Sequence, residues 1–302
     1  MMFPPMPLAE WRDTKETLHR FLQIAGKVRL DLSPLRNHWW NVPFYLTARG
    51  LTSRPMGRET FFTIDFDFVE HLLRVDSSTG QRVSFPLTEL SVAGFYRQLL
   101  AALSSLGFDM RLAHPAPFDL TDSTPFAEDE HHASYVPTHA NRYWQILGQV
   151  SLILEEFAGR SYAKTSPVHH FWHTMDIAVT RFSDRTVDPP DDVDPVTREA
   201  YSHEVISAGF WFGDDVFGEP AFYSYTAPEP AGLTEEPLRP AEAAWVPRGS
   251  AHLAVLRYDD ARISPDPRGS VLAFLESAYL AGARRAGWDI DKLRHPRAVG
   301  AG

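Results

Sequence analysis

Several histidines of this chain stand beside aromatic or acidic residues, a setting in which imidazole moves protons or binds metal. His38 directly precedes two tryptophans, and His169 opens the segment HHFWH. The ordinary pKa of imidazole lies near neutral pH, so the group can donate and accept protons there. The candidate catalytic residues are His38, His169, Asp176, His203 and Glu204. For each histidine, a core residue hydrogen-bonded to the backbone is the competing interpretation.

His203 and Glu204, together with His169, have the ligand types of a divalent metal site. Imidazole and carboxylate ligands suit Zn²⁺, and two histidines with one carboxylate suit Fe²⁺. The sequence contains no HxH and no HExxH motif. Neighbouring residues of a strand point to opposite faces, so His203 and Glu204 can share a metal only where the backbone bends. A site for Zn, Fe or Mn formed by these three residues is a hypothesis that rests on residue types.

Two arginines and two tryptophans are candidates for holding a ligand near those histidines. Arg49 and Arg181 each follow, by eleven residues, one of two histidines that align with each other. A guanidinium group can bind a carboxylate or phosphate through two parallel hydrogen bonds. Pairing with a neighbouring acidic side chain is the alternative role in so acidic a chain. Trp40 and Trp172 would supply aromatic walls.

Composition excludes several classes of function. The 302 residues include 29 Lys+Arg and 39 Asp+Glu, which gives a formal charge of −10. Nucleic acids and anionic membranes would repel such a chain. Cysteine is absent, which excludes disulfides and thiolate ligands. Neither a membrane-spanning run nor a secretory signal is recognisable, so we expect a soluble cytoplasmic protein. Nucleotide-binding and serine-hydrolase motifs are also missing.

Three pairs of segments recur in the same order, which predicts an internal duplication. HRFLQIAGKV at 19–28 matches NRYWQILGQV at 141–150, HWWNVPFYLTAR at 38–49 matches HFWHTMDIAVTR at 170–181, and SVAGFYRQLLAAL at 91–103 matches SVLAFLESAYLAG at 270–282. One such match can arise by chance, but three in one order are much harder to explain that way.

Each predicted unit consists of a helix, four strands and a second helix. Helices are expected at about 8–25, 89–106, 139–158 and 267–286, and strands at 44–49, 61–68, 71–75, 81–85, 175–182, 203–212, 221–226 and 251–258. Gly26 is a plausible stop for the first helix, and Asp266-Pro267 is a start signal for the last. In FFTIDFDF, apolar side chains alternate with Thr63, Asp65 and Asp67, which are expected to face solvent.

Short links between strands imply antiparallel pairing, since parallel strands need long crossovers. The predicted fold class is therefore α+β, a tandem duplication with helices packed on antiparallel sheets. The predicted domains are a first repeat at 1–113, a linker at 114–138 and a second repeat at 139–302. The second repeat carries loop insertions at about 183–200, 213–219 and 227–249. The seam between the repeats is the expected place for a pocket.

Three functions are compatible with these features. The first is a small-molecule enzyme with a His, carboxylate and Arg pocket between the halves, in its concrete form a metal-dependent hydrolase or oxygenase. The second is a non-catalytic protein that binds a small anionic or aromatic ligand. The third is a structural or interaction module whose polar residues only satisfy one another inside the fold. The oligomeric state stays open.

Several motifs together resemble a bacterial protein family of about this length that is catalogued only as a domain of unknown function. The motifs are DTKETLHRFLQIAGKVRL, NHWWNVPFYLTARGL, FTIDFDFVEH, SVAGFY, SPVHHFWHTMDIAVTRFSDR, EAYSHEVISAGFW and PAFYSYTAPEP, and they cover nearly the whole chain. The resemblance implies no activity, fold or cofactor. It implies recurring motif positions at His38, His71, His169, Asp176, Arg181, His203 and Glu204. His170 and His173 depart from the family pattern.

Overall fold

The structure is a computed structural model that describes residues 2–188 and 192–295. Its first half contains α1 (Leu8–Leu32), a 3₁₀ turn at Asn37–Trp39, β1 (Tyr45–Leu46), β2 (Gly50–Thr52), β3 (Met56–Gly57), β4 (Phe61–Asp67), β5 (Leu72–Ser77), β6 (Arg82–Pro86) and α2 (Val92–Ser105). The strands form an antiparallel sheet in the order β1-β2-β4-β5-β6, and β3 pairs with β4. This sequential order follows from the short links between the strands.

Alternation of side chains along β4 fixes which face of the first sheet is buried. Phe62, Ile64 and Phe66 are buried in the core, where Phe66 lies 6.0 Å from the ring of Phe95 on α2. The residues between them point to the opposite side of the sheet, which we call the outer face. The predicted alternation is therefore confirmed for residues 62–66, whereas Asp67 at the end of the strand is buried.

The second half is larger and contains a second antiparallel sheet. It consists of α3 (Pro137–Gly159), β7 (His169–Phe171), β8 (Asp176–Thr186), α4 (Pro195–Ala200), β9 (His203–Trp211), β10 (Ala221–Ala227), a 3₁₀ turn at Leu233–Glu235, β11 (Ala244–Arg248), β12 (Ala251–Arg257), α5 (Tyr258–Ile263), α6 (Pro267–Arg285) and α7 (Ile290–Leu293). The strand order is β11-β12-β10-β9-β8-β7. The side chain of Asp266 accepts a hydrogen bond from the backbone N of Gly269 and caps α6 as predicted.

Among the described residues, one backbone bridge connects the two sheets. The backbone N of Phe44 donates to the carbonyl of His170, the backbone N of His170 donates to the carbonyl of Phe44, and both distances are 2.8 Å. This bridge lies where β1 and β7, the end strands of the two sheets, meet. A single cluster of buried residues continues from one half into the other beneath the sheets.

The first helix does not end at Gly26, so that prediction is wrong. The helix continues to Leu32, and the glycine is needed for packing. A Cβ atom at Gly26 would lie 2.3 Å from the indole ring of Trp172. The indole Nε1 of Trp172 donates to the carbonyl of Val42 at 3.0 Å, which fixes the ring against the helix.

The predicted α+β class, with helices packed on antiparallel sheets, is confirmed: seven α-helices and two six-stranded sheets occur within residues 2–188 and 192–295. The duplication and its boundaries stay predictions. The segment predicted as an insertion at 183–200 contains the end of β8 and all of α4, and 227–249 contains β11. Residues 189–191 of the first insertion, and residues 1 and 296–302 of the two repeats, lie outside the described residues.

Candidate acid–base site

His38 lies in a tight turn that docks on α4 of the other half. Its backbone has φ 55° and ψ 27°, in the left-handed region, and its side chain is buried. The backbone N of His38 donates to Glu199 Oε1 at 2.8 Å, and the indole of Trp39 donates to the carbonyl of Val196 at 3.0 Å. A left-handed non-glycine residue is held in place only by surrounding contacts of this kind.

Lys164 brings its amine to the ring of His38. Lys164 follows α3 and pairs with the edge of β8, where the backbone N of Phe182 donates to its carbonyl at 2.9 Å. From there Nζ reaches 2.7 Å from His38 Nε2, and it lies 4.8 Å from the ring of Phe182 and 5.4 Å from that of Trp40. Lys164 is an exposed residue, although its amine contacts the buried ring of His38.

A second imidazole completes this group. The rings of His38 and His203 are 5.4 Å apart and nearly perpendicular, and Phe182 packs 4.3 Å from His38. His203 is the first residue of β9 and lies opposite Thr186, beyond an irregularity in the pairing of β8 with β9. We call His38, Lys164, His203, Trp40 and Phe182 the acid–base site.

Burial and neighbouring charge favour the neutral forms of two groups in this site. Burial lowers the pKa of His38, and the positive charge of Lys164 lowers it further, while carbonyl groups of Glu199 and Ala200 act in the opposite direction. Burial also lowers the pKa of the Lys164 amine, against the attraction of Glu199. A neutral His38 accepts the hydrogen bond from Lys164 at Nε2 and carries its own hydrogen on Nδ1. His38 Nδ1 is buried and makes no hydrogen bond of normal geometry within the described residues.

Asp176 lies at the opposite end of β8 from Phe182, in a separate polar group. Tyr223 donates to Asp176 Oδ2, and Thr174 donates to Oδ1. The phenol of Tyr223 reaches Asp176 by lying across Gly209 on β9, where a Cβ would be 2.6 Å from the hydroxyl oxygen. The predicted catalytic Asp176 is thus hydrogen-bonded by the hydroxyl groups of Tyr223 and Thr174.

The predicted metal set of His169, His203 and Glu204 is not assembled. Along β9, His203 and Glu204 occupy alternate faces, and Glu204 accepts hydrogen bonds from Ser183 at 3.0 Å and from the indole of Trp288 at 2.9 Å. His169 is buried beside Tyr45, at 6.2 Å between rings. Within the described part of the chain, no three His, Asp or Glu side chains converge as metal ligands.

The two predicted ligand-binding arginines have other partners. Arg49 Nε lies 2.6 Å from Asp67 Oδ2 and its Nη2 lies 2.9 Å from Glu70, the acidic pairing that was its alternative role. Asp67 was expected to face solvent, but it is buried. Burial alone would raise the pKa of Asp67, but hydrogen bonds from Arg49, Arg74 and two backbone N–H groups lower it to about 2.

Arg181 lies inside the protein. Its guanidinium carbon is 3.7 Å from the ring centre of Phe157 and 4.3 Å from that of Tyr279, and Nη2 donates to the carbonyl of Phe157. Burial lowers the pKa of Arg181 to about 10. No carboxylate lies within 4.0 Å of it in residues 2–188 and 192–295. Since the side chain is only 1% exposed, a ligand cannot reach it in this conformation.

The structure therefore brings together some of the predicted residues and adds others. His38, His203 and Trp40 meet in the acid–base site, whereas Trp172 belongs to the core against Gly26. Sequence analysis did not identify Lys164 or Glu199. The only local signal for Lys164 is that the chain has just four lysines, at 15, 27, 164 and 292.

The fold and this group of residues define an α+β protein with two helix-covered antiparallel sheets and a histidine–lysine pair where its halves meet. The chain belongs to the family of unknown function DUF5996, whose profile matches residues 3–295. The curated proteins and solved structures compared with the chain include no significant match. None of the helices among the described residues has the length and apolar character needed to span a membrane.

Proposed function

We propose that this protein is a small-molecule enzyme that uses His38 and Lys164 for acid–base chemistry. The observation that carries the proposal is the 2.7 Å contact between Lys164 Nζ and His38 Nε2, made between an exposed lysine and a buried histidine. Structural lysines usually point into solvent or toward carboxylates, whereas an ammonium group beside an imidazole lowers the pKa of the imidazole. Such perturbed pairs are frequent at catalytic sites.

The geometry supports different chemical roles for Lys164 and His38. When a substrate oxygen replaces His38 as the partner of Lys164, the ammonium group stabilises negative charge on that oxygen. His38 Nε2 then has a free lone pair and can accept a proton from the substrate or from water. The aromatic rings of Phe182 and Trp40 exclude water on one side, and charge interactions are stronger in such surroundings. His203, 5.4 Å away, can pass the proton on to solvent.

The site lies at the junction of the two halves. His38 and Trp40 come from the first half, and Lys164, Phe182 and His203 come from the second. A small polar or anionic molecule is the substrate class that fits an accessible ammonium group next to a general base.

The contact between Lys164 and His38 is tested by NMR titration of the imidazole of His38. In Lys164→Met, removal of the positive charge is expected to raise the pKa of His38, and Lys164→Arg should keep it low. The same pKa of His38 in the wild type and in both variants would contradict an interaction between the two side chains.

Catalysis is tested by incubating the protein in D₂O with a panel of carbonyl- and carboxylate-bearing small molecules. Product formation and deuterium incorporation are followed by mass spectrometry. We expect turnover by the wild type that falls about 100-fold or more in His38→Gln and in Lys164→Met, and is unchanged in the exposed control His131→Gln. Full activity in both site variants would refute the proposal. Binding of a panel compound without turnover would instead support the non-catalytic binding protein.

A further inference from the structure

A cleft of about 320 Å³ lies where the N-terminal segment, the first sheet and α3 meet, on a part of the molecule separate from the acid–base site. Its lining consists of Pro4, His71, Pro137, Thr138, Asn141, Arg142 and Gln145. A volume of this size is at the lower end of the range for small-molecule sites, and junctions between structural units are a common location for them.

The cleft is lined by one cationic side chain, that of Arg142. Arg142 uses one nitrogen to donate to the carbonyl of Pro5 at 3.3 Å, which leaves the rest of its guanidinium group available. The lining contains no Asp or Glu, although the chain has 39 acidic residues against 29 basic ones. An anion in this cleft would therefore meet the guanidinium group of Arg142 with no carboxylate in the wall; the nearest charge acting on His71 is that of Asp67, behind the lining.

The orientation of His71 agrees with this interpretation. Its Nδ1 lies 3.1 Å from the hydroxyl of Tyr135. Burial raises the pKa of Tyr135, so the phenol keeps its proton and can donate it to Nδ1. His71 then carries its own hydrogen on Nε2 and is a donor there even when neutral.

A matching pair of residues on α1 indicates that the anion is a carboxylate. Arg20 and Gln23 have the same spacing on α1 as Arg142 and Gln145 on α3, and the two segments are among those that align within the sequence. On α1 both residues are occupied: Arg20 Nε lies 3.4 Å from the buried carboxylate of Asp129, and Gln23 holds the backbone N and O of Phe118 at 2.6 and 3.0 Å.

On α3 the corresponding positions lack such partners. Arg142 has no carboxylate within 4.0 Å in the described residues, and Gln145 donates only to the neighbouring Asn141, at 2.8 Å. The arginine of α1 is paired with the carboxylate of Asp129, whereas the arginine of α3 lines an open cleft.

We propose that this cleft is a binding site for a small organic carboxylate, with Arg142 holding the carboxylate oxygens and His71 Nε2 donating a further hydrogen bond. The cleft volume restricts the ligand to a small molecule. The site is independent of the acid–base site and does not depend on the protein being an enzyme.

The experiment is a titration of the full chain with sodium acetate and sodium succinate, followed by NMR of the backbone amides of Thr138 and Asn141 and of the side chain of Arg142. Sodium chloride at matched ionic strength and inorganic phosphate are the comparison arms. We expect saturable shifts with at least one carboxylate. Its affinity should fall about tenfold or more in Arg142→Gln and stay unchanged in Arg97→Gln, an exposed arginine outside the cleft.

Three results would overturn the proposal. They are shifts no larger than those with chloride, saturation by phosphate but by neither carboxylate, and undiminished carboxylate affinity in Arg142→Gln. If Arg142→Gln does not fold, His71→Gln serves in its place, because the proposal requires weaker carboxylate binding in that variant too.

Discussion

The helices α1 and α3 contain the same Arg-x-x-Gln-x-x-Gly pattern, yet its residues have different roles in the two halves. The pattern consists of Arg20, Gln23 and Gly26 in α1 and of Arg142, Gln145 and Gly148 in α3. In α1, each residue is engaged by another segment of the chain, including the indole of Trp172 packed on the glycine. In α3, the arginine and glutamine line a cleft, and no atom lies within 4 Å of a Cβ built on the glycine. Residue type and spacing are thus the same, and the covering segment determines what the residues do.

The outer faces of the two sheets differ in a similar way. On the first sheet, this face carries Thr63, Asp65 and Arg74, an ordinary polar surface. On the second sheet, Tyr223 and Tyr225 stack at 6.3 Å with nearly parallel rings, and Tyr223 is only 8% exposed. The second half therefore carries stacked tyrosines on its outer face, whereas the first half carries hydroxyl and charged groups there.

Substitution of the two arginines provides the largest expected contrast. Arg20→Gln removes the guanidinium group beside the buried carboxylate of Asp129, which keeps its 2.9 Å contact with His132, so we expect a loss near the lower limit for breaking a buried ion pair, about 3 kcal/mol. Arg142→Gln removes a half-exposed side chain without an ionic partner, so its effect should stay within about 0.5 kcal/mol. Denaturant unfolding of both variants measures the difference. Similar losses would mean that Arg142 has a structural partner equivalent to Asp129.

The two glycines give the next contrast. Gly26→Ala places a Cβ against the ring of Trp172, and overpacking of this kind costs about 1–3 kcal/mol. Gly148→Ala fills open space on a helix and should stabilise the protein by about 0.5–1 kcal/mol. The midpoints of urea unfolding should move in opposite directions. A shift in the same direction would show that Trp172 can leave α1 at little cost.

Buried histidines are expected to make both halves sensitive to acid. Burial lowers the pKa of His19, in the first half, and of His169, in the second, to about 3. Unfolded histidine has a pKa near 6.5, so between these values the unfolded chain binds a proton that the folded chain does not. The free energy of unfolding therefore decreases as pH falls below about 6.5, by roughly 1.5 kcal/mol per histidine between pH 6.5 and 5.

The measurement is the unfolding free energy at several pH values from 7 to 5 for the wild type, His19→Gln and His169→Phe. Each variant should lose the contribution of one histidine to the slope. Carboxylates such as Asp67, with a pKa of about 2, titrate below this range in the folded state. A slope unchanged in either variant would mean that the substituted histidine is protonated inside the fold.

The regular elements were predictable because their signals are local. The alternation at 61–68 corresponds to β4, and Asp266-Pro267 corresponds to the first turn of α6. The short strand β7 was not predicted, since three residues give too little periodicity, and β11 was not predicted because it contains Pro247, a residue that argues against a strand. The end of α1 was misplaced because Gly26 is a packing residue, and its partner Trp172 lies far away in sequence.

The candidate site was predictable only in part, because its contacts are long-range. His38 and His203 were identified from their residue types, and their rings lie close together. Lys164 was missed because 126 residues separate it from His38, and no spacing rule connects them. Arg181, on β8, was expected to bind an anion. It is instead enclosed by the rings of Phe157 on α3 and Tyr279 on α6, which lie far from it in the sequence.

The smallest expected contrast concerns the outer faces themselves. Tyr223→Phe removes the hydroxyl that donates to Asp176, and losing such a bond should cost about 1 kcal/mol because water can reach part of the carboxylate. Thr63→Val removes the 3.0 Å hydrogen bond from Thr63 to Asp65 on the first sheet, where both residues are half-buried and water can take over part of the bond, so the change should stay within about 0.5 kcal/mol. Both are measured by denaturant unfolding at neutral pH. If the two substitutions lower the free energy of unfolding equally, the hydroxyl contacts on the second sheet add no more stability than those on the first. The two outer faces would then differ in residue composition but not in stability.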